Sequence, residues 1–238
     1  LKMLEVNLLS YSQAPAFVAV MPEARLPRPS SWSSHDTPSL LDLIAYCARV
    51  SNPENQDNRE TSKKLIKYLI KHKHWSPLEM VSACVEVTTT RDIARQALRH
   101  RSFSFQEYSQ RYANPVEEKS FEFVLREARL QDPKNRQNST PSEDCELNAN
   151  WRWHQEEAIS AAKRAYNWAI KNGIAKEQAR AVLPEGNTVT RFCMNGTLRS
   201  YIHYIELRSE NGTQKEHMDM ALAVGKVISN VFPYEDLI

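Results

Sequence analysis

Between Val81 and Leu98 the hydrophobic pattern changes its period, and no other stretch constrains the fold as much. Val81, Ala83, Val85 and Val87 alternate with Ser82, Cys84, Glu86 and Thr88, as in a strand with one buried face. Thr90 then stands at a helix N-cap position, and Ile93, Ala94, Ala97 and Leu98 fall on one side of a helix expected from Arg91 to about Arg101. A strand running straight into an amphipathic helix calls for a sheet with helices packed on it.

The rest of the chain supplies the other layers. Met3 to Tyr11 reads as a first strand, and the proline- and serine-bearing Ser12 to Ser34 as irregular. Thr37-Pro38 marks a helix start, with Leu40, Leu41, Ile44 and Cys47 leading to about Val50. Leu65, Ile66, Leu69 and Ile70 stripe a second helix from about Thr61, and Lys63, Lys64, Lys67 and Lys71 lie outside it. Phe121 to Leu125 is expected as a strand and 131–146 as an exposed loop. Trp151 to Asn172 is the longest helical signal, with Gly173 at C′. Helical signals follow over Glu177 to Leu183 and Leu198 to Leu207, with β character over Asn187 to Met194 between them. Thr213-Gln214-Lys215-Glu216 reads as a capping box for a last helix to about Val231. The whole reads as one α+β domain over residues 1–238.

Composition excludes several function classes. A net charge of +2 rules out a molecule that attracts nucleic acid as a whole. Cys47, Cys84, Cys145 and Cys193 are scattered, without a C-x-x-C, as free thiols in a reducing cytoplasm would be. The run from Ala16 to Met21 is too short to span a membrane. The first residue is Leu1, so an altered or missing initiator end is expected. The 5 glycines form neither a G-x-G-x-x-G nor a P-loop.

The chemistry concentrates between Thr90 and Tyr112. Arg91, Arg95, Arg99, Arg101 and Arg111 occur there without a lysine, opposed only by Asp92 and Glu107. A guanidinium meets phosphate or carboxylate through a planar fork, which suits an oriented anion. The interleaved rings of His100, Phe103, Phe105, Tyr108 and Tyr112 suit a ligand that is also flat. Gln96, Arg99 and His100 share helical spacing and are expected to face one ligand. Arg180, Arg191, Arg199, His203 and Arg208 form a second group, to be joined to the first by folding or by subunit contact. The His72/His74 pair reads as an exposed helix end, and no metal site is expected. Ser109 and His100 are residue types of an activated hydroxyl, but in one segment they read as hydrogen-bonding groups.

Arg99-His100-Arg101, seven residues and then Ser109 resemble the R-H-R-x7-S signature of flavin-dependent thymidylate synthases. His74-Trp75-Ser76-Pro77-Leu78-Glu79 is similar to that family's H-x-[ST]-P-x-E element, although Met80 stands where a His often follows. Ala48-Arg49-Val50-Ser51, Ala94-Arg95-Gln96, Arg180 to Pro184, Leu198-Arg199-Ser200 and Leu207-Arg208 also match in order, over about Leu40 to Val231.

The resemblance implies a mixed α/β core sheet flanked by helices, assembled as a homotetramer with shared sites. It also implies conversion of dUMP to dTMP, with methylenetetrahydrofolate as carbon donor, FAD as hydride carrier and NADPH as reductant. By position, Gln96, Arg99, Glu107, Ser109, Gln110, Arg111, Arg180 and Arg208 would hold dUMP, and Arg208 would act catalytically on the uracil. His74, Ser76, Arg99, His100, Arg101, Glu107, Thr197, Arg199 and His203 would hold FAD, with Thr197 and His203 standing where relatives carry Asn. Ser109 then needs no nucleophilic role. Partners would be dUMP, folate and NADPH in the cytoplasm, without nucleic acid or membrane. The alternatives are a non-catalytic nucleotide- or RNA-binding module using the same arginines, and a related flavoprotein with another nucleotide substrate.

Overall fold

The computed structural model describes residues 4–13, 39–117 and 123–233. Strands β1 (Glu5–Tyr11), β2 (Ser82–Thr90), β3 (Phe103–Glu107) and β6 (Val189–Thr197) form an antiparallel sheet in the order β1-β2-β6-β3. A second, two-stranded sheet pairs β4 (Arg129–Gln131) with β5 (Ser139–Pro141). The helices are α1 (Leu40–Ala48), α2 (Ser62–Lys71), α3 (Arg91–Ala97), α4 (Cys145–Lys171), α5 (Lys176–Ala179), α6 (Leu198–Ser209) and α7 (Lys215–Ser229).

Alternation in β2 works as read: Ala83, Val85 and Val87 are buried against Ile93, Ala94, Ile202, Met220 and Val224 from α3, α6 and α7. The buried Tyr201 hydroxyl donates to the carbonyl of Met194 at 2.7 Å and lies 3.2 Å from that of Ala83, fastening α6 to two strands. Helix α4 closes as its glycine requires. Gly173 has φ +76°, its N–H reaches Ile170 O, and Ile174 N–H reaches Ala169 O.

Several local expectations fail for identifiable reasons. Ser39 caps α1, in a reciprocal box with Asp42; Thr37 and Pro38, like most of Ser12 to Ser34, lie outside the described residues. Helix α3 stops at Ala97, and the chain turns into β3, a strand the sequence reading did not contain. Phe121 and Glu122 lie outside the described residues, and Phe123 to Leu125 form no ladder. Val124 is instead tied to Asn187, backbone N–H to backbone O and side-chain amide to backbone O. The expected loop at 131–146 holds strand β5 and the start of α4, capped by the Asp144 carboxylate. The Thr213–Glu216 capping box does not form: Gln214 takes the N-cap position without a side-chain cap bond. Glu216 pairs with Arg126 at 3.0 Å.

Gly196 lies opposite Phe103 in the β3–β6 ladder, and a Cβ there would stand 2.4 Å from the Phe103 ring. That ring is packed on Tyr201 and Tyr204 and cannot retreat cheaply. Gly196→Ala is therefore expected to destabilise the fold by about 1–3 kcal/mol, measured by denaturant titration. Because Phe103 ends the loop carrying Arg99 to Arg101, ligand retention should fall with it.

Candidate active site

The residues expected to hold ligands gather in separate places. Around the end of β6, the 3-10 turn Ser76–Glu79 packs on α6. Glu79 pairs there with Arg199. The exposed His203 ring meets Trp75 edge-on at 4.6 Å. Thr197 caps α6, accepting from Ser200 N–H at 3.3 Å. His74 and Ser76 are exposed at the same turn.

A second group forms where the α3–β3 connection meets the end of α6. Arg208 Nε donates to His100 Nε2 at 2.9 Å, so this nitrogen carries no proton. The Tyr204 ring stands edge-on to His100, with centroids 5.0 Å apart. Behind them lies His217 of α7, fully buried, whose Nδ1 is 3.2 Å from Gln96 Oε1. Burial, then the charges of Arg208 and Arg99, push the His100 pKa down to about 4. His217 is pushed down to about 3, first by burial and then by Arg208, His100 and Arg99. Both rings are neutral at physiological pH, and Arg99 and Arg208 meet no carboxylate among the described residues.

The third group lies at the far end of β3. Glu107 accepts from Thr190 Oγ1 at 3.0 Å and faces Arg91 (3.5 Å) and Arg95 (3.6 Å). Arg91 and Arg95 also meet Glu185. Ser109 Oγ accepts from the Arg111 N–H at 3.3 Å, and Arg111 faces Glu177 at 3.6 Å, one turn before Arg180. Gln110 is buried.

Sequence spacing therefore misled in two ways. Arg99 and His100 lie beyond the end of α3, off the helical face that was to bring them to Gln96, and Arg95 within the helix turns to Glu107 and Glu185. Acidic partners are not scarce for Arg91, Arg95 and Arg111: Glu185 and Glu177 arrive from a distant segment. Ser109 and His100 are separated by the length of β3, roughly 13 Å at about 3.3 Å per residue, so one chain cannot pair them as nucleophile and base. The reading also missed His217 and Gln214, since the capping-box pattern explained their segment without reference to α3. A cleft of about 680 Å³ beside Arg126, lined in part by Asp92, Gln155, Asn187, Gln214 and Glu216, contains none of the expected ligand residues.

The neutral histidines make acid stability measurable. As pH falls below about 6.5 the unfolded chain protonates both rings, while the folded chain does not until near 4 and 3. Stability is thus lost on acidification, by up to about 1.4 kcal/mol per pH unit for the buried His217 and by less for the half-buried His100, which solvent screens. Unfolding free energies from urea titrations at pH 7.5 and 5.5 should differ by roughly 1–2 kcal/mol, most of it from His217. A His217→Leu variant should show less than half that difference.

The antiparallel sheet flanked by helices, with arginines that meet no carboxylate among the described residues, defines an α+β protein suited to an anionic ligand. Residues 35–234 match the family model described as thymidylate synthase complementing protein, Thy1. A Synechocystis sp. protein named flavin-dependent thymidylate synthase is 49% identical over 192 residues, 80% of this chain and 85% of that one. A Paramecium bursaria Chlorella virus 1 protein, named a "probable" enzyme of the same kind, is 50% identical over 81% of this chain and 87% of its own. The crystal structure of a UMP/dUMP methylase, PolB, from Streptomyces cacaoi, solved with 5-Br dUMP, shares the fold. Its TM-score is 0.73 at 22% identity, covering 98% of this chain and 93% of that one. The chain belongs to the flavin-dependent thymidylate synthase family.

Proposed function

We propose that this protein converts dUMP to dTMP, taking the carbon from methylenetetrahydrofolate and reducing equivalents from NADPH through FAD. The observation that carries this reading is the division among its arginines. Arg91, Arg95 and Arg111 have carboxylate partners, whereas Arg99, Arg101, Arg180 and Arg208 have none among the described residues. Arg180 and Arg208 are part-buried and Arg99 and Arg101 exposed, and guanidinium groups gathered without counter-ions favour an anionic ligand brought from solution.

The donor set fits both ligands. Guanidinium, imidazole and hydroxyl groups at His74, Ser76, Arg99, His100, Arg101, Thr197, Arg199 and His203 suit a dinucleotide's phosphates and ring edges, and the Glu107 carboxylate can accept from its hydroxyl groups. When bound, the flavin supplies the hydride. The chain's own part is to hold and polarise the nucleotide. Arg99 and Arg111 would take the phosphate, with Ser109, the Gln110 backbone and Gln96 beside them, and Glu107 would orient the sugar. Arg180 and Arg208 would face the uracil. Arg208 has its Nε committed to His100, which leaves its terminal nitrogens for the ring. A cation held where negative charge develops lowers the barrier without reorganising.

The site is shared between subunits of a homotetramer. Arg99 and, through its bond to His100, Arg208 lie at the start of β3, whereas Ser109 and Arg111, with the Glu177–Arg180 turn that Arg111 meets, lie beyond its end. One dUMP cannot bridge that strand within a single chain, so a neighbouring copy completes each set. The chain acts as a single domain in the cytoplasm, which its free thiols at Cys47, Cys84, Cys145 and Cys193 suit. No helix among the described residues is long and apolar enough to cross a membrane.

The test is the visible spectrum of the purified protein, followed by dUMP titration and assay of dTMP. A yellow protein that oxidises NADPH and forms dTMP only when folate and dUMP are both present is expected. Colourless protein that cannot be reconstituted, or a salt-sensitive RNA binder without turnover, overturns the reading.

A further inference from the structure

Gln96 is expected to touch the nucleotide, yet both ends of its amide are already engaged. The pattern begins at Glu216, a carboxylate that can only accept. Burial raises its pKa, but the Arg126 guanidinium and hydrogen bonds outweigh that and hold it in the ionised range. Gln214 Nε2 donates to Glu216 Oε2 at 2.9 Å, which fixes the orientation of the Gln214 amide. Gln214 Oε1 must then accept, and it does so from Gln96 Nε2 at 2.7 Å. Gln96 Oε1 is thereby turned to His217, whose Nδ1 lies 3.2 Å away and must carry the ring proton. His217 Nε2 is left as a buried acceptor without a hydrogen-bond partner.

We propose that Glu216, Gln214 and His217 form a one-way hydrogen-bond chain that locks the Gln96 amide, so that its remaining N–H is presented to an acceptor oxygen of the bound nucleotide. This rests on the functional reading above. Gln214 and His217 are positioning residues that act through Gln96. Without them the amide flips between two orientations, and only one presents the donor. The chain reaches Gln96 from the side of the Arg126 cleft, so it supports substrate binding without itself contacting substrate.

The experiment compares wild-type, Gln214→Leu, His217→Leu, His217→Asn and the Gln214→Leu/His217→Leu double variant. Gln214 is exposed and makes no side-chain cap bond, so its variant keeps the fold even where a buried substitution does not. Each Leu variant should raise the dUMP dissociation constant and KM roughly 3- to 10-fold, the factor of one neutral hydrogen bond. The kcat and the FAD content per subunit should stay near wild type. The double variant should be no weaker than the weaker single variant, because both break one chain. His217→Asn should recover part of the loss, since its amide can donate. Wild-type dUMP affinity in Gln214→Leu, strictly additive losses, or loss of FAD in step with dUMP overturns the chain alone. Wild-type protein that binds no dUMP overturns the functional reading and the chain with it.

Discussion

Arg208→Ala is expected to lower kcat by about 100- to 1,000-fold, the usual cost of removing one preorganised charge-stabilising donor. The FAD content should change little, because Arg208 is placed against the uracil. The substitution also removes the Nε–H that His100 Nε2 accepts. A half-buried acceptor is orphaned, and one of the charges that lower the His100 pKa disappears. Burial remains the larger cause, so His100 should still titrate below its usual range, but higher than in wild type. Steady-state kinetics together with the pH dependence of His100 check both halves. A variant that keeps wild-type kcat removes Arg208 from the chemistry. Arg208→Lys should not restore it, since one ammonium cannot serve both His100 and a ring edge as a guanidinium fork does.

Arg99→Ala is expected to give colourless protein that also fails to bind dUMP, because this arginine belongs to both expected ligand sets. Its charge contributes to holding His100 and His217 neutral, and it has no carboxylate partner among the described residues. Removing it should therefore leave the fold intact or slightly more stable, since uncompensated positive repulsion is relieved. Flavin absorbance after purification, dUMP titration and a thermal melt separate these effects. Yellow Arg99→Ala with unchanged dUMP affinity refutes the assignment. Arg91→Ala makes the contrast: its guanidinium lies between Glu107 and Glu185, so its loss should appear first as destabilisation.

Much of the framework was legible because it rests on local periodicity. The alternation of β2, the apolar stripe of α2 and the glycine closing α4 are each encoded within a few residues. Strand β3 carries the same alternation, Phe103 and Phe105 against Ser104 and Gln106. It is short, however, and continuous with a helical stripe, so the rings read as ligand contacts. Phe103 is in fact core, and the buried face of β3 is set by its pairing with β6.

The candidate site divides in the same way. Arg99, His100, Arg101 and Ser109 are recognisable because an R-H-R-x7-S spacing survives in the linear chain. Which arginines are already neutralised is not written there. Glu185 meets Arg91 from 94 residues away in sequence, and the Gln96–Gln214 bond spans 118. Local pattern thus determined the strands, helices and candidate guanidinium groups, since their periods act over one or two turns of chain. Tertiary structure alone decided which charges stay uncompensated and which histidines stay neutral. Those outcomes depend on desolvation and on carboxylates brought together only when distant segments pack.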